Sequence, residues 1–216
     1  MADIFDEVSE ELKQDQLVQL WKKYSKYIIS FVFFVIILIS SYQGYVIWNE
    51  KKLNKSSEEF FKALENLENK EYLKSSKIFL KSSLEQSSGY RILSLFGLAE
   101  SNFKNGKIKE MISNYESIYE NNNIDNYYKH LARILSVIKD DVSTFEDLHR
   151  RLKPILNNPS KLQMLAAEVE IGLFIRFNKL NKAIQSLKIL LNRPDISYDQ
   201  KNRLSLINKV YTSNVQ

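Results

Sequence analysis

One pattern of residues occurs four times along the chain at a nearly regular spacing. Intervals of 36, 37 and 35 positions separate the members of its first column: Tyr72, Ile108, Phe145 and Leu180. Three further columns keep the same register: Ser75, Met111, Leu148 and Ala183; Phe79, Tyr115, Leu152 and Leu187; Ser82, Ile118, Ile155 and Leu190. Periods of roughly 20–50 residues are typical of stacked repeats. The sequence therefore predicts four copies of one structural unit, spanning residues 56–88, 89–124, 125–159 and 160–194.

Glycine and proline, on which most turns between β-strands depend, are scarce. Only five glycines and three prolines occur among 216 residues, and alternating runs of Val, Ile and Thr are missing. This composition predicts an all-α fold and excludes sandwiches, barrels and parallel-sheet folds. The glycine positions fit neither a dinucleotide-binding motif nor a P-loop. The absence of cysteine excludes disulfides and thiolate zinc sites.

Each copy reads as two antiparallel helices joined by a short turn. In the second copy, residues 90–104 form the first helix and residues 108–119 the second. The turn requires a left-handed backbone, which Gly106 adopts freely and Asn178, in the fourth copy, tolerates. Small residues near the helix centres let the paired helices approach closely: Ala63, Ala99, Ser136 and Ala183.

Several shorter signals predict where helices start and bend. The capping-box pattern S-x-x-E/Q, which marks helix starts, occurs three times: Ser56 with Glu59, Ser143 with Glu146, and Ser160 with Gln163. Pro154 is expected to kink the second helix of the third copy. Residues 197–211 place Leu204, Ile207 and Tyr211 on one helical face, as expected of a cap that closes a solenoid.

The 22 residues from Tyr27 to Trp48 contain no charged side chain. As a helix they span roughly 33 Å, enough to cross a hydrocarbon core of about 30 Å. Aromatic residues and lysines flank both ends, as in membrane-spanning helices. A buried core helix is seldom apolar on every face, and a cleaved signal peptide would show a shorter leader and a cleavage site. The sequence therefore predicts one uncleaved transmembrane helix.

The predicted helix divides the chain into a tail at 1–26, an anchor at 27–48 and a domain at 49–216. Within about 19 residues of each end of the anchor there are four lysines, so the positive-inside rule does not orient it. Because long domains translocate largely regardless of charge, we expect the tail inside the cell and the domain outside. The amphipathic tail is either an interface- or partner-binding helix, or a simple extension of the anchor.

Two stretches of the domain look like tetratricopeptide repeats (TPRs), whose period is about 34 residues. They are carried by Leu95, Leu98, Ala99, Gly106, Ile108, Tyr115 and Ile118, and by Asn178, Leu180, Ala183, Leu187, Leu190 and Pro194. The tail motifs ADIFDEVSEEL and LWKKY, one membrane helix and degenerate repeats together resemble the ancillary SecYEG translocon subunit family, the YfgM-like bacterial inner-membrane proteins. The resemblance implies a single-pass protein with a cytoplasmic N-terminus and a periplasmic TPR domain. It also implies association with the Sec translocon and periplasmic chaperones.

In TPR proteins the first helix of each pair lines a groove that binds protein segments. The repeat register places ten candidates there: Phe60, Leu64, Leu93, Phe96, Glu100, Phe103, Arg133, Val137, Ile175 and Arg176. This surface suits an amphipathic helix or an unfolded segment, although a register error of one residue would turn the same positions into core. The predicted function is a membrane-anchored scaffold; the alternative is a structural coordinator of cell-envelope assembly or cell division.

Residues suited to catalysis or to cofactor binding form no recognisable motif. His130 and His149 lie 19 positions apart on different predicted helices, and no H-E-x-x-H or G-x-S-x-G motif occurs. Asp140 and Asp141 are predicted to lie at a helix end and in the loop that follows. They are not predicted to bind a metal, because a hard cation needs more converging oxygen ligands. The sequence predicts no enzyme activity, cofactor, metal, nucleic-acid partner or small-molecule substrate.

Overall fold

The computed structural model describes the backbone of residues 2–84 and 90–213 and the side chains of 17–27, 29–84 and 90–211. Within these ranges every regular element is an α-helix. The bounds are α1 (Ala2–Glu68), α2 (Tyr72–Leu84), α3 (Tyr90–Lys104), α4 (Ile108–Tyr119), α5 (Asn126–Lys139), α6 (Phe145–Leu156), α7 (Gln163–Arg176), α8 (Leu180–Leu191) and α9 (Tyr198–Ser213). The prediction of an all-α fold is confirmed.

The chain separates into two units between Lys55 and Ser56. The first contains most of α1, which is long and apolar enough to cross a membrane. Its most apolar 18-residue window has a mean hydropathy of 1.9 and none of it is buried. A soluble core helix would be mostly covered, so this exposure fits a segment that meets lipid. Near its end, Lys52 Nζ lies 5.4 Å from the centre of the Trp48 ring.

The second unit is a solenoid of four helix pairs closed by α9. The last turns of α1, residues 56–68, pair with α2, followed by α3 with α4, α5 with α6 and α7 with α8. Two first helices, α5 and α7, also contact each other directly. Each buried cluster joins one pair to the first helix of the next, so no pair has a separate core. This nearest-neighbour stacking is how repeat proteins are stabilised.

The repeat columns found in the sequence form the core of this solenoid. Three of the four columns are buried in every copy: Ser75, Met111, Leu148 and Ala183; Phe79, Tyr115, Leu152 and Leu187; Ser82, Ile118, Ile155 and Leu190. The first column is half-buried in every copy. The small residues Ala63, Ala99, Ser136 and Ala183 are also fully buried, as close helix packing requires. The register deduced from spacing is therefore confirmed.

The helix turns of copies one, two and four share one backbone conformation. Gly106 and Asn178 have positive φ angles of 73° and 56°, as predicted, and Lys70 has a φ of 63°. In each turn the next residue donates its N–H to a carbonyl five positions earlier: Glu71 to Asn66 (2.8 Å), Lys107 to Asn102 (2.8 Å) and Lys179 to Phe174 (2.7 Å). This bond is the mark of a Schellman ending, which favours glycine at the left-handed position.

Replacing Lys70 with glycine should stabilise the protein. A left-handed backbone costs a residue with a Cβ atom about 1–2 kcal/mol, which glycine avoids. We expect Lys70→Gly to raise the free energy of unfolding by about 1 kcal/mol, measured by urea-induced loss of helicity of the full chain in a mild non-ionic detergent. Gly106→Ala should lower it by a similar amount. Equal stability of Lys70→Gly and the wild type would contradict this account of the turn.

Several of the predicted helix starts are wrong. Ser56 lies inside α1, because no glycine or proline interrupts residues 45–68. α6 is capped one residue later than predicted, by Thr144, whose hydroxyl accepts the Asp147 N–H (3.3 Å). Ser160 accepts the Leu162 N–H (3.1 Å) in a turn before α7. Pro154 lies inside α6, which continues for two more residues and ends at Leu156.

The contact between α2 and α3 includes four serines and one glycine. Ser75 Oγ lies 2.9 Å from Ser101 Oγ, and Ser94 donates to Ser82 Oγ at 3.0 Å. Between these two pairs, Gly97 faces the ring of the fully buried Phe79. Small side chains let the two backbones approach, and their hydroxyls satisfy one another inside the contact.

Candidate binding surface

We call the outward side of the first helices the first-helix face; it is formed by α1 residues 56–68, α3, α5 and α7. On α3, four candidates share one side by helical spacing: Leu93, Phe96, Glu100 and Phe103. Leu93 is exposed, whereas the other three are partly covered. Lys139 of α5 lies beside them, with its Nζ atom 2.6 Å from Glu100 Oε2 and 4.4 Å from the Phe103 ring centre.

The candidates on α1 are partly buried aromatic and aliphatic side chains. Phe60 and Leu64 pack against the cluster that contains Phe79. The Phe60 ring lies 5.6 Å from Phe79 and 5.4 Å from Tyr90, measured between ring centres. Each keeps some surface at the start of the first-helix face, but most of each side chain holds α1, α2 and α3 together.

The candidates on α5 and α7 separate into surface and core positions. Val137 is fully buried and belongs to the core cluster that joins α5, α6 and α7. Arg133 lies partly covered over the Tyr119 ring, 4.1 Å from its centre, and pairs with Glu120 Oε1 at 3.2 Å. Ile175 packs beside the α7–α9 cluster. Arg176 alone of this group is an exposed charge.

A polar network joins three helices where α5 ends. Asp140 is fully buried, and its Oδ1 atom accepts the N–H groups of Val142 (3.0 Å) and Ser143 (2.9 Å). Arg151 of α6 donates to Asp140 Oδ2 at 2.8 Å, and Arg176 of α7 donates to the Asp140 carbonyl at 2.7 Å. These hydrogen bonds hold the pKa of the Asp140 carboxyl below its ordinary value although burial opposes them. Asp140 is therefore structural and cannot contact a ligand.

A cleft of about 190 Å³ opens between α5 and α7 on the first-helix face. Aliphatic side chains line it and Arg176 lies among the lining residues; the complete set is Val137, Ile138, Val169, Gly172, Leu173 and Arg176. Ile138 is well exposed, and apart from the neighbouring residues and backbone of α7 itself, no atom lies within 4 Å of where a Cβ on Gly172 would stand. The cleft is thus an open, apolar recess with a cation at its margin.

The two histidines lie in separate polar surroundings. His130 Nδ1 is 3.1 Å from Ser160 Oγ beside a cleft that Tyr127 also lines. His149 Nδ1 of α6 is 3.2 Å from Glu170 Oε1 of α7, and its ring stacks on Phe145. Burial lowers the pKa of both histidines and raises that of Glu170. Within the described residues, no cluster of three or more His, Asp or Glu side chains could hold a metal ion.

The His149–Glu170 pair should give the stability a dependence on pH. Burial, with Lys153, Lys182 and Lys179, lowers the pKa of His149. Neutral His149 therefore contributes stability above the pKa of about 6.5 that histidine has in the unfolded chain, and this contribution is lost as the pH falls below that value. Protonation of Glu170, whose pKa is raised, opposes that loss. Compared with wild type, we expect His149→Gln to lose less unfolding free energy between pH 7 and pH 5, and Glu170→Gln to lose more. Parallel urea-derived profiles for all three proteins would contradict this.

The comparisons with known proteins agree with this architecture. A family model described as a tetratricopeptide repeat-like domain matches residues 19–188, well over half of the 216-residue chain. The match includes the apolar part of α1 and runs into α8. No curated protein and no solved structure matches the chain. Because the repeat register, the four helix pairs and this match agree, the protein belongs to the tetratricopeptide repeat-like domain family.

Proposed function

We propose that this protein is a membrane-anchored scaffold that binds polypeptide segments on its first-helix face. The observation that carries the proposal is that successive first helices each expose an aliphatic side chain: Leu93 on α3, Ile138 on α5 and Leu165 on α7. Charged side chains, including Lys139 and Arg176, lie among them. A surface of exposed aliphatic side chains with charges beside them suits an extended or helical protein segment.

The anchor in this proposal is the apolar part of α1, between Tyr27 and Trp48. Its length, its hydropathy and the absence of burial in its most apolar window support it, as does a family match that starts at residue 19, before the apolar segment. We propose that the N-terminus is cytoplasmic and the repeat domain, 49–216, periplasmic, in a bacterial inner membrane. Anchoring would raise the concentration of the domain around partners in the same membrane.

The proposed partners come from the resemblance to the ancillary translocon subunits: the Sec translocon, periplasmic chaperones and secreted polypeptides. The test is co-purification of the full chain after membrane solubilisation. Enrichment of translocon and chaperone components supports the proposal. Enrichment of peptidoglycan-synthesis proteins instead would support the alternative, a coordinator of envelope assembly or division. Recovery of neither class would count against both.

Topology is tested separately with reporters fused after Gln216. Alkaline phosphatase, active only outside the cytoplasm, should be active there, and a fluorescent protein that folds only in the cytoplasm should stay dark. The opposite pair of results would overturn the proposed orientation and, with it, the periplasmic partners.

A further inference from the structure

We infer that the cleft between α5 and α7 takes one aliphatic side chain of the bound segment, with an acidic side chain next to it held by Arg176. This inference rests on the proposed function, because it specifies what the first-helix face selects. The first-helix face would then prefer segments in which an aliphatic side chain lies beside an acidic one.

The size and lining of the cleft indicate an aliphatic side chain. At about 190 Å³ it is smaller than the 300–1,000 Å³ typical of small-molecule sites, so it fits a single side chain. Its walls are formed by Ile138, Val169 and Leu173, which offer no hydrogen bond to a polar side chain. Burying a polar group there without a hydrogen-bond partner costs free energy, whereas burying an aliphatic side chain is favourable.

The backbone of α7 leaves this cleft open at Gly172. Glycine in the interior of a helix costs about 0.5–1 kcal/mol relative to alanine, and Gly172 is exposed, so no packing contact explains it. By contrast, a Cβ on Gly97, also inside a helix, would lie 2.5 Å from the Phe79 ring. Gly172 is thus a place where a larger side chain would fill the cleft without disturbing the fold.

Arg176 gives the cleft a positive margin. The guanidinium donates to the Asp140 carbonyl (2.7 Å) and lies 5.2 Å from the Phe177 ring centre, so it is held in place. Among the residues that the structure describes, Arg176 takes part in no ion pair; the nearby Asp140 carboxylate is taken by Arg151. A positioned guanidinium with free N–H groups favours a carboxylate, which it can bind through two hydrogen bonds.

The test uses the full chain in lipid nanodiscs and fluorescein-labelled peptides. The probe carries three Leu-Glu pairs spaced by Gly-Ser and an amidated C-terminus, so that its carboxylates are all side chains. Two matched peptides replace Glu with Gln or Leu with Ser. Measured by anisotropy, we expect the Gln peptide to bind about fivefold more weakly and the Ser peptide about tenfold more weakly or worse.

Two substitutions link these preferences to the cleft. Gly172→Leu should weaken binding of the Leu-Glu peptide at least tenfold without lowering the midpoint of thermal unfolding. Gly172→Ala should retain most of the wild-type affinity for this peptide. Arg176→Gln should abolish the preference for Glu over Gln peptides and keep the preference for Leu. If both variants retain wild-type affinities and preferences, the inference is wrong.

An unfolded protein serves as a separate probe of the proposed function. Reduced, carboxymethylated α-lactalbumin should bind wild type in the same nanodiscs. If it binds but the Leu-Glu peptide does not, the inference about the cleft fails and the proposed function stands. If neither binds, the proposed function fails as well.

Discussion

Arg151→Met should lower the free energy of unfolding by about 3 to 5 kcal/mol, since removing one partner of a buried ion pair leaves the other charge buried alone. Asp140 is fully buried and Arg151 is 11 % exposed. Arg151 also donates to Ser143 Oγ at 3.3 Å, so its loss breaks the α5–α6 connection at more than one point. Urea-induced loss of helicity of the full chain in a mild detergent measures the effect.

The neighbouring residue provides a matched control. Arg150 also pairs with an aspartate, Asp147, at 2.6 Å, but its side chain is 74 % exposed. Exposed ion pairs contribute between about 0 and 1 kcal/mol, so Arg150→Met should have an effect of less than about 1 kcal/mol. Equal destabilisation by the two substitutions would show that the Asp140 network does not hold α5, α6 and α7 together.

Gly97→Ala should destabilise the protein by about 1–3 kcal/mol, the cost of forcing an extra methyl group into a packed core. The new Cβ would lie 2.5–2.7 Å from three atoms of the Phe79 ring. That ring cannot rotate away freely, because it is fully buried and in edge contact with Phe60. The α2–α3 contact would have to widen, which would also stretch the hydrogen bonds between its serines.

The same substitution at Gly172 should have the opposite sign. A methyl group there meets no atom within 4 Å, so only the gain in helix propensity remains, and Gly172→Ala should stabilise the chain by about 0.5–1 kcal/mol. Urea-induced unfolding of both variants measures the two changes in the free energy of unfolding. Stabilisation by both substitutions would contradict the close α2–α3 approach in the structure.

The repeat architecture was predictable because a solenoid places the same side-chain types at the same depth in every copy. Tyr115, Leu152 and Leu187 recur at intervals of 37 and 35 residues because each fills the same space between a pair and its neighbour. The left-handed turns at Gly106 and Asn178 were predictable for a similar reason, since few residues accept that backbone. Lys70 was not, because tertiary packing imposes the turn on a residue that disfavours it.

The candidate site was only partly predictable, because helical spacing defines a face but not its depth. Val137 has the same spacing as surface positions, yet α7 covers it through Ala166 and Leu173. The Asp140–Arg151 pair combines a helix end with a position 11 residues later, and no local pattern connects the two. The cleft beside Gly172 depends on the separation between α5 and α7, which a single sequence does not encode as a motif.

The most direct test of the account is site-specific photo-crosslinking of the full chain in nanodiscs to carboxymethylated α-lactalbumin. A benzophenone side chain would replace exposed aliphatic residues on the first-helix face (Leu93, Ile138 and Leu165) or on second helices (Leu80 of α2 and Ile189 of α8). All five are exposed, so accessibility alone does not separate them. We expect crosslinks from the first-helix positions and few from the second-helix positions. Equal yields from both sets, or higher yields from Leu80 and Ile189, would contradict it.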